Sequence, residues 1–359
     1  MAFFLSAKWA WVALQFVLKR REELQKIRKR GIVVVIIGGT TGLDMAIVHS
    51  VCSRLAQIET HGVHSVIITT KNQTEGVTSL ELLRHPTVRV GYHQLDASNK
   101  DSLMAFCQHF KEQFENIDIL INNAGMLPSA AELGCKGDTE TVMNVNYYDA
   151  KLVTFTLLPL MAPGGRIVVA ASGLAELAIR WMNNETFTKL FSETSTEDDI
   201  DGVADGFVKE ICATSAGGKR VHDALAYPFA QASRIALTQY LGNQLKWSSR
   251  DPAMRVTACS FSPGWCRTPS GSNRAPFSAA EGAEEAVYAA FDADAETIQG
   301  SFLIGRKPAR FGDGHAVAVT GNSGRAHTAA GRKTNDDIYK FASGKIATAA
   351  LALVARVVR

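Results

Sequence analysis

The hydrophobic pattern sharpens at Ile32–Ile37, six consecutive β-branched residues. An unbroken apolar run of this length predicts a strand buried on both faces of a parallel sheet. It leads into GGTTGLD at 38–44 and then into MAIVHSVCSRLAQI, whose apolar positions recur at helical spacing. Further strand-length runs follow at Ser65–Thr70, Val88–Leu95 and Ile117–Ile121, and an amphipathic helix is expected over Lys100–Phe114. Strands alternating with helices imply right-handed crossovers. The expectation is one doubly wound α/β domain, a Rossmann fold with a parallel sheet, over residues 31–310.

The ends read differently. Ala2–Leu18 is apolar apart from Ser6, Lys8 and Gln15, and is followed by KRREELQKIRKR. As a helix it would span about 25 Å, a little short of a bilayer core. The basic run would hold that end on the negative side of a membrane. Residues 1–30 are therefore expected to form an anchor or interfacial helix, against a cleaved targeting segment or a helix docked on protein. Pro308–Asn335, rich in Gly, Ala and basic residues, reads as an extended arm. Asp336 looks like the cap of a last apolar helix within the 311–359 extension, suited to a partner, a membrane or its own domain. Between residues 173 and 226 lies a helical insert. Ser195 or Thr196 precedes Glu197, Asp198 and Asp199, and Ile200, Val203, Phe207, Val208 and Ile211 form one apolar face.

Composition narrows the function classes. A formal net charge of +3 is too small to argue for nucleic acid, and no aromatic–basic motif supports such binding. Six widely spaced cysteines, without a CxxC pair or clustered histidines, argue against a metal site or a disulfide framework. Free thiols in a reducing compartment are the expectation, and His61 and His64 are expected to be solvated in a polar loop.

A strand, a glycine turn and a helix N-terminus form a cradle for phosphate: the backbone approaches closely and the helix dipole faces the anion. Here the turn carries Gly38, Gly39 and Gly42. Further along come YHQLDAS, INNAG, LLPLMAPGGRIVVAAS, the acidic FSETSTEDDIDG, SPGWCRTP and SAAEGAEEAVY. In this order the series resembles the short-chain dehydrogenase/reductase superfamily, closest to the monomeric NADPH-dependent carbonyl reductases, across most of 32–306. The resemblance implies that Asp96 touches the adenine, that Asn123, Ala124 and Gly125 pass beneath its ribose, and that Pro263, Gly264 and Thr268 close over the nicotinamide. Asp96 or Ser98 could instead cap the helix that follows. The resemblance also implies a catalytic set with Tyr227 as acid, Ser172 (read as ending its strand) as orienting donor and Asn146 holding a water relay. The insert covers the surface other members use to tetramerise, so no homotetramer of the family type is expected.

Three residues depart from the family pattern. Gln231 stands four residues after Tyr227, where the family carries the lysine that acidifies the tyrosine. Arg234 shares that helix face but lies about 10 Å further along, which makes it a poor substitute. Asp44 replaces the last glycine of GxxxGxG and sets a negative charge beside the pyrophosphate. Glu75 stands where a second basic residue would meet a 2′-phosphate, although Lys71 keeps the first. Tyr147–Lys151 also spells YxxxK but precedes the Ser172 strand, and reads as coincidence. Two functions follow. One is a catalytically impaired relative, an accessory or scaffold subunit of a membrane-associated assembly in the mitochondrial inner membrane or another intracellular membrane, binding NADP(H) or no cofactor. The other is an active NADPH-dependent reductase of ketones, quinones or aldehydes.

Overall fold

The computed structural model describes residues 29–126, 138–215, 225–271, 273–312 and 315–318. The apolar N-terminal segment and the helix expected after Asp336 lie outside them. In chain order come β1 (Val33–Ile37), α1 (Gly42–Leu55), β2 (His64–Thr70), α2 (Gln73–Leu82), β3 (Val88–Gln94), α3 (Lys100–Gln113) and β4 (Ile117–Asn122). Next are α4 (Asp138–Met143), a π-helical turn at Asn144–Tyr148, α5 (Asp149–Leu157) and β5 (Met161–Ala170). The insert supplies α6 (Ala175–Ile179), α7 (Asn184–Phe191) and α8 (Glu197–Ser215), and α9 (Ala226–Leu245) follows. The chain continues through β6 (Thr257–Ser262), β7 (Cys266–Arg267), β8 (Phe277–Ser278), α10 (Ala279–Val287), α11 (Ala295–Ile298), β9 (Phe302–Ile304), β10 (Lys307–Gly312) and β11 (His315–Ala318).

The main sheet runs β3-β2-β1-β4-β5-β6-β9-β10-β11, parallel from β3 to β9. The alternation of β1 decides which face each residue serves. Val34 and Ile36 join a cluster with α1 and α10, whereas Val33, Val35 and Ile37 join one with α3 and α5. Each of these side chains is essentially fully buried, worth about 1.5–3 kcal/mol apiece. Reciprocal bonds between Thr196 and Asp199 fix the start of α8. Its Ile200 and Ala204 pack into a third cluster against α9, where Phe207 stacks on Phe229 at 3.8 Å. The insert thus braces the helix that carries Tyr227.

Four expectations are corrected. The arm expected from Pro308 begins as two antiparallel strands, β10 and β11, which extend the sheet beyond β9. Ser172 lies two residues beyond the end of β5. His64 is buried as the first residue of β2: Nδ1 accepts from Ile32 N at 3.0 Å, and Nε2 lies 2.9 Å from Ile58 O. Neither Asp96 nor Ser98 caps α3. Asn99 does, accepting from Asp101 N and Ser102 N, while Asp96 Oδ1 accepts from the Ser98 amide and hydroxyl. Cys52, Cys107, Cys259 and Cys266 are free, buried thiols.

Asp118 ties the entry of the chain to the sheet. It accepts both Arg30 Nη groups and Val33 N, all at 2.8 Å. Asp118→Ala leaves the Val33 N–H without this partner and the Arg30 guanidinium without a counter-charge, held only by Gly31 O. Denaturant unfolding should show a loss of about 2–4 kcal/mol; a loss below about 0.5 kcal/mol would show that the clamp contributes nothing.

Candidate functional site

Because β1 pairs with β2 on one side and β4 on the other, a crevice opens between the diverging helices at the strands' carboxyl ends. The cleft there has a volume of about 290 Å³. One end is built by Thr41–Asp44 and Asn123, the other by Asn146, Tyr227, Gln231 and Arg234, with Pro263–Thr268 along a side. Gly42, Asn123, Gly125, Asn146, Tyr227, Gln231, Pro263, Gly264 and Thr268, all singled out in the sequence, are thus brought together. Gly38, Gly39 and Ala124 lie behind the lining. Lys71 and Asp96 lie elsewhere, just past the ends of β2 and β3, where two hydrogen bonds from Ser98, with a smaller contribution from the Lys71 charge, hold Asp96 below the usual carboxylate range. Burial, then the charge of Asp96, pushes nearby Asp149 up to about 6. Glu75 is exposed and accepts from Asn72 Nδ2 at 3.2 Å, so it serves the start of α2.

At the glycine end the backbone turns through positive φ at Gly38 and Gly39, which an L side chain rarely adopts. Asp44, in the first turn of α1, folds back beneath this turn. Its Oδ2 accepts from Gly39 N at 3.3 Å, and its Oδ1 accepts from Asn123 Nδ2. Burial raises its pKa to about 6, against the lowering effect of those two bonds. The cradle therefore holds a carboxylate of its own.

At the other end, Pro228 falls in the first turn of α9, where its missing N–H costs nothing. Tyr227 is raised by burial, while a hydrogen bond from Ser172 and the positive charge of Arg234 pull it back down. Ser172 is not in the lining and reaches the cleft only through Tyr227. Asn146 sits on the π-helical turn, an irregularity that collects at functional sites. Its Nδ2 donates to Met126 O and Val142 O, both at 3.0 Å, and its Oδ1 accepts from Met126 N at 3.1 Å and Gln231 Nε2 at 3.4 Å. With two donors and two acceptors filled, the side-chain amide of Asn146 braces the site. Gly125 is tight for a related reason, since a Cβ there would lie 2.9 Å from Asn146 Oδ1 and 3.4 Å from Arg234 Nη1.

Arg234 lines the same cleft, 3% exposed, with Nη2 donating to Asn122 O at 3.1 Å. Helical side chains lean toward the N-terminus, which brings the guanidinium back from its Cα into the cleft that Tyr227 also lines. Tyr147 and Lys151 lie outside the cleft: the phenol donates to Asp201 Oδ1 at 2.7 Å, and Lys151 pairs with Glu197 at 2.6 Å and with Asp201. That pair anchors the insert.

A doubly wound sheet with a glycine turn and a serine–tyrosine pair at its crevice defines a dinucleotide-fold protein of the oxidoreductase kind. The family model for short chain dehydrogenase matches residues 32–191. Carbonyl reductase (NADPH) 1 of Homo sapiens is 28% identical over 278 residues, covering 76% of this chain and 95% of the relative; the Bos taurus protein is 27% identical over 273. Salutaridine reductase from Papaver somniferum superposes with a TM-score of 0.61 at 23% identity, covering 76% of this chain and 99% of its own. The chain belongs to the short-chain dehydrogenase/reductase superfamily and stands close to the carbonyl reductases within it.

The raised Asp44 carboxyl has a consequence for stability. The native fold prefers the neutral form, so stability is highest below the unfolded pKa of 3.8 and falls as pH rises toward 6, then stays flat. Asp44→Asn should therefore stabilise the chain by about 1–3 kcal/mol at pH 7.5 and by almost nothing at pH 3.5. Thermal melts at the two pH values check this, and equal gains at both would refute it.

Proposed function

We propose that the chain is an NADP(H)-dependent oxidoreductase of the carbonyl reductase type, with a cofactor site weakened by Asp44. The hydrogen-bonded Ser172–Tyr227 pair beside a cleft that begins at a glycine turn carries this proposal. The residues fit a dinucleotide along the cleft with one exception, the carboxylate that takes the Gly39 N–H. Gly42 and Thr268 would flank the phosphates, and Gln231 and Asn123 the riboses. Lys71, with no acidic residue waiting for a free 2′-hydroxyl, favours NADP(H) over NAD(H). The bound cofactor would supply hydride to a ketone, quinone or aldehyde carbon. Tyr227 would give its phenolic proton to the carbonyl oxygen, Ser172 would orient that phenol through its hydrogen bond, and Asn146 keeps Gln231 and the Met126 backbone in place.

Asp44 and Gln231 favour a second reading, a non-catalytic subunit of a membrane-associated assembly that keeps the fold as a rigid module. The apolar Ala2–Leu18 followed by a basic run supports an intracellular membrane location for either reading.

With purified full-length chain, NADPH oxidation by menadione or an aromatic aldehyde is expected, and Tyr227→Phe should reduce it by 10²-fold or more, on the order of a lost general acid. NADP⁺ should bind up to about tenfold tighter for each pH unit dropped from 8 toward 6, a dependence that Asp44→Asn flattens. If neither NADPH nor NADP⁺ shifts the melting temperature at millimolar concentration, the oxidoreductase proposal fails and the subunit reading takes its place.

A further inference from the structure

We propose that Arg234 is the cation of this site, a positioning residue that acts through Tyr227 in place of the lysine absent at position 231; the inference rests on the reductase reading above. Three geometric facts carry it. Arg234 is buried at the wall of the cleft that Tyr227 and Gln231 share, on the same face of α9. Its guanidinium is only partly engaged: Nη2 donates to Asn122 O and, at 3.4 Å, to Asn122 Oδ1, whereas Nε is buried with no partner. Nη1 lies beside Gly125, 3.4 Å from where a Cβ there would stand.

No carboxylate among the described residues lies within ion-pair distance of Arg234. A buried guanidinium without an anionic partner is costly and uncommon, and carbonyl dipoles of Asn122 recover only part of that cost. The other titratable groups lining the cleft are Asp44 on α1, tied to Gly39 and Asn123, and Cys266 on β7, whose thiol donates to Pro263 O at 3.2 Å. Neither neutralises Arg234. Burial pulls the guanidinium down from its ordinary value, but an arginine keeps its charge through the range in which tyrosine titrates, and its field favours the phenolate of Tyr227. The role of the lysine has moved three residues along the helix, and the longer side chain covers the distance.

The test titrates Tyr227 in the full-length chain without cofactor or substrate, using ¹³C-labelled tyrosine, with Tyr227→Phe assigning the signal. Arg234→Gln should move the Tyr227 titration up by about one pH unit or more. Arg234→Lys should leave it near the wild-type value, and adding Gln231→Lys to Arg234→Gln should bring it back down. A purely structural strut to Asn122 would not be rescued from position 231. If Arg234→Gln does not fold, Arg234→His, neutral where tyrosine titrates, carries the same expectation. An unmoved titration in a folded variant, or a failure of Gln231→Lys to restore it, overturns the proposal. A shifted titration in a chain that never oxidises NADPH supports Arg234 as the cation while the reductase reading falls.

Discussion

The site depends on one constraint, that β1 is hydrogen-bonded to β2 on one side and to β4 on the other. Only there do successive helices depart to opposite faces and leave the strand ends uncovered. The glycine turn, Asn123 and the Ser172–Tyr227 pair reach one cleft because β1, β4 and β5 end side by side. Asp118 secures that arrangement from the opposite end of the strands, by holding the entry of β1 to β4. Apolar burial on both faces then makes the register expensive to change, since a one-residue slip would turn Val33, Val35 and Ile37 to the wrong face.

Charge inside the cleft is distributed unlike the pattern the superfamily resemblance implies. A carboxylate has entered at the glycine turn, and a cation has shifted from position 231 to position 234. The two do not pair with each other. Asp44 is held by Gly39 and Asn123, and Arg234 by Asn122. Adjacent asparagines at the end of β4 thus hold the two new charges apart, one through its side-chain amide and the other through its carbonyls. Had the charges met, they would have closed the cleft with a salt bridge; apart, each sets the electrostatics of its own end.

Much of this was legible in the sequence. Apolar runs gave β1, β2 and β4 to within a residue, because a strand buried on both faces admits little else. The order of the motifs located Tyr227, Ser172 and the glycine turn. What escaped depends on where side chains reach. That Arg234 reaches the cleft depends on the lean of its side chain, which axial rise does not give. That the Asn146 amide is engaged by Met126, Val142 and Gln231 is visible only in three dimensions. Asp96 and Asn99 are both fair caps by type, and the choice between them is made by which residue lies at the turn. The Arg30–Asp118 clamp joins residues 88 apart in sequence, with no local pattern to announce it.

Magnitudes decide how much the departures take away. A carboxyl with a pKa of about 6 that must be neutral for an anion to bind costs about 1.4 kcal/mol at pH 7, a factor of about ten in affinity. Loss of a nearby cation would cost the phenol about one to three pH units of acidity, but Arg234 returns positive charge to the same cleft. The electrostatic sum is therefore a loss on the order of tenfold, small against the 10⁶-fold or greater accelerations enzymes supply. Substitutions of this size retune a cofactor site, and extinguishing one takes the removal of the proton donor itself. Tyr227, hydrogen-bonded to Ser172 at the head of α9, has not been removed.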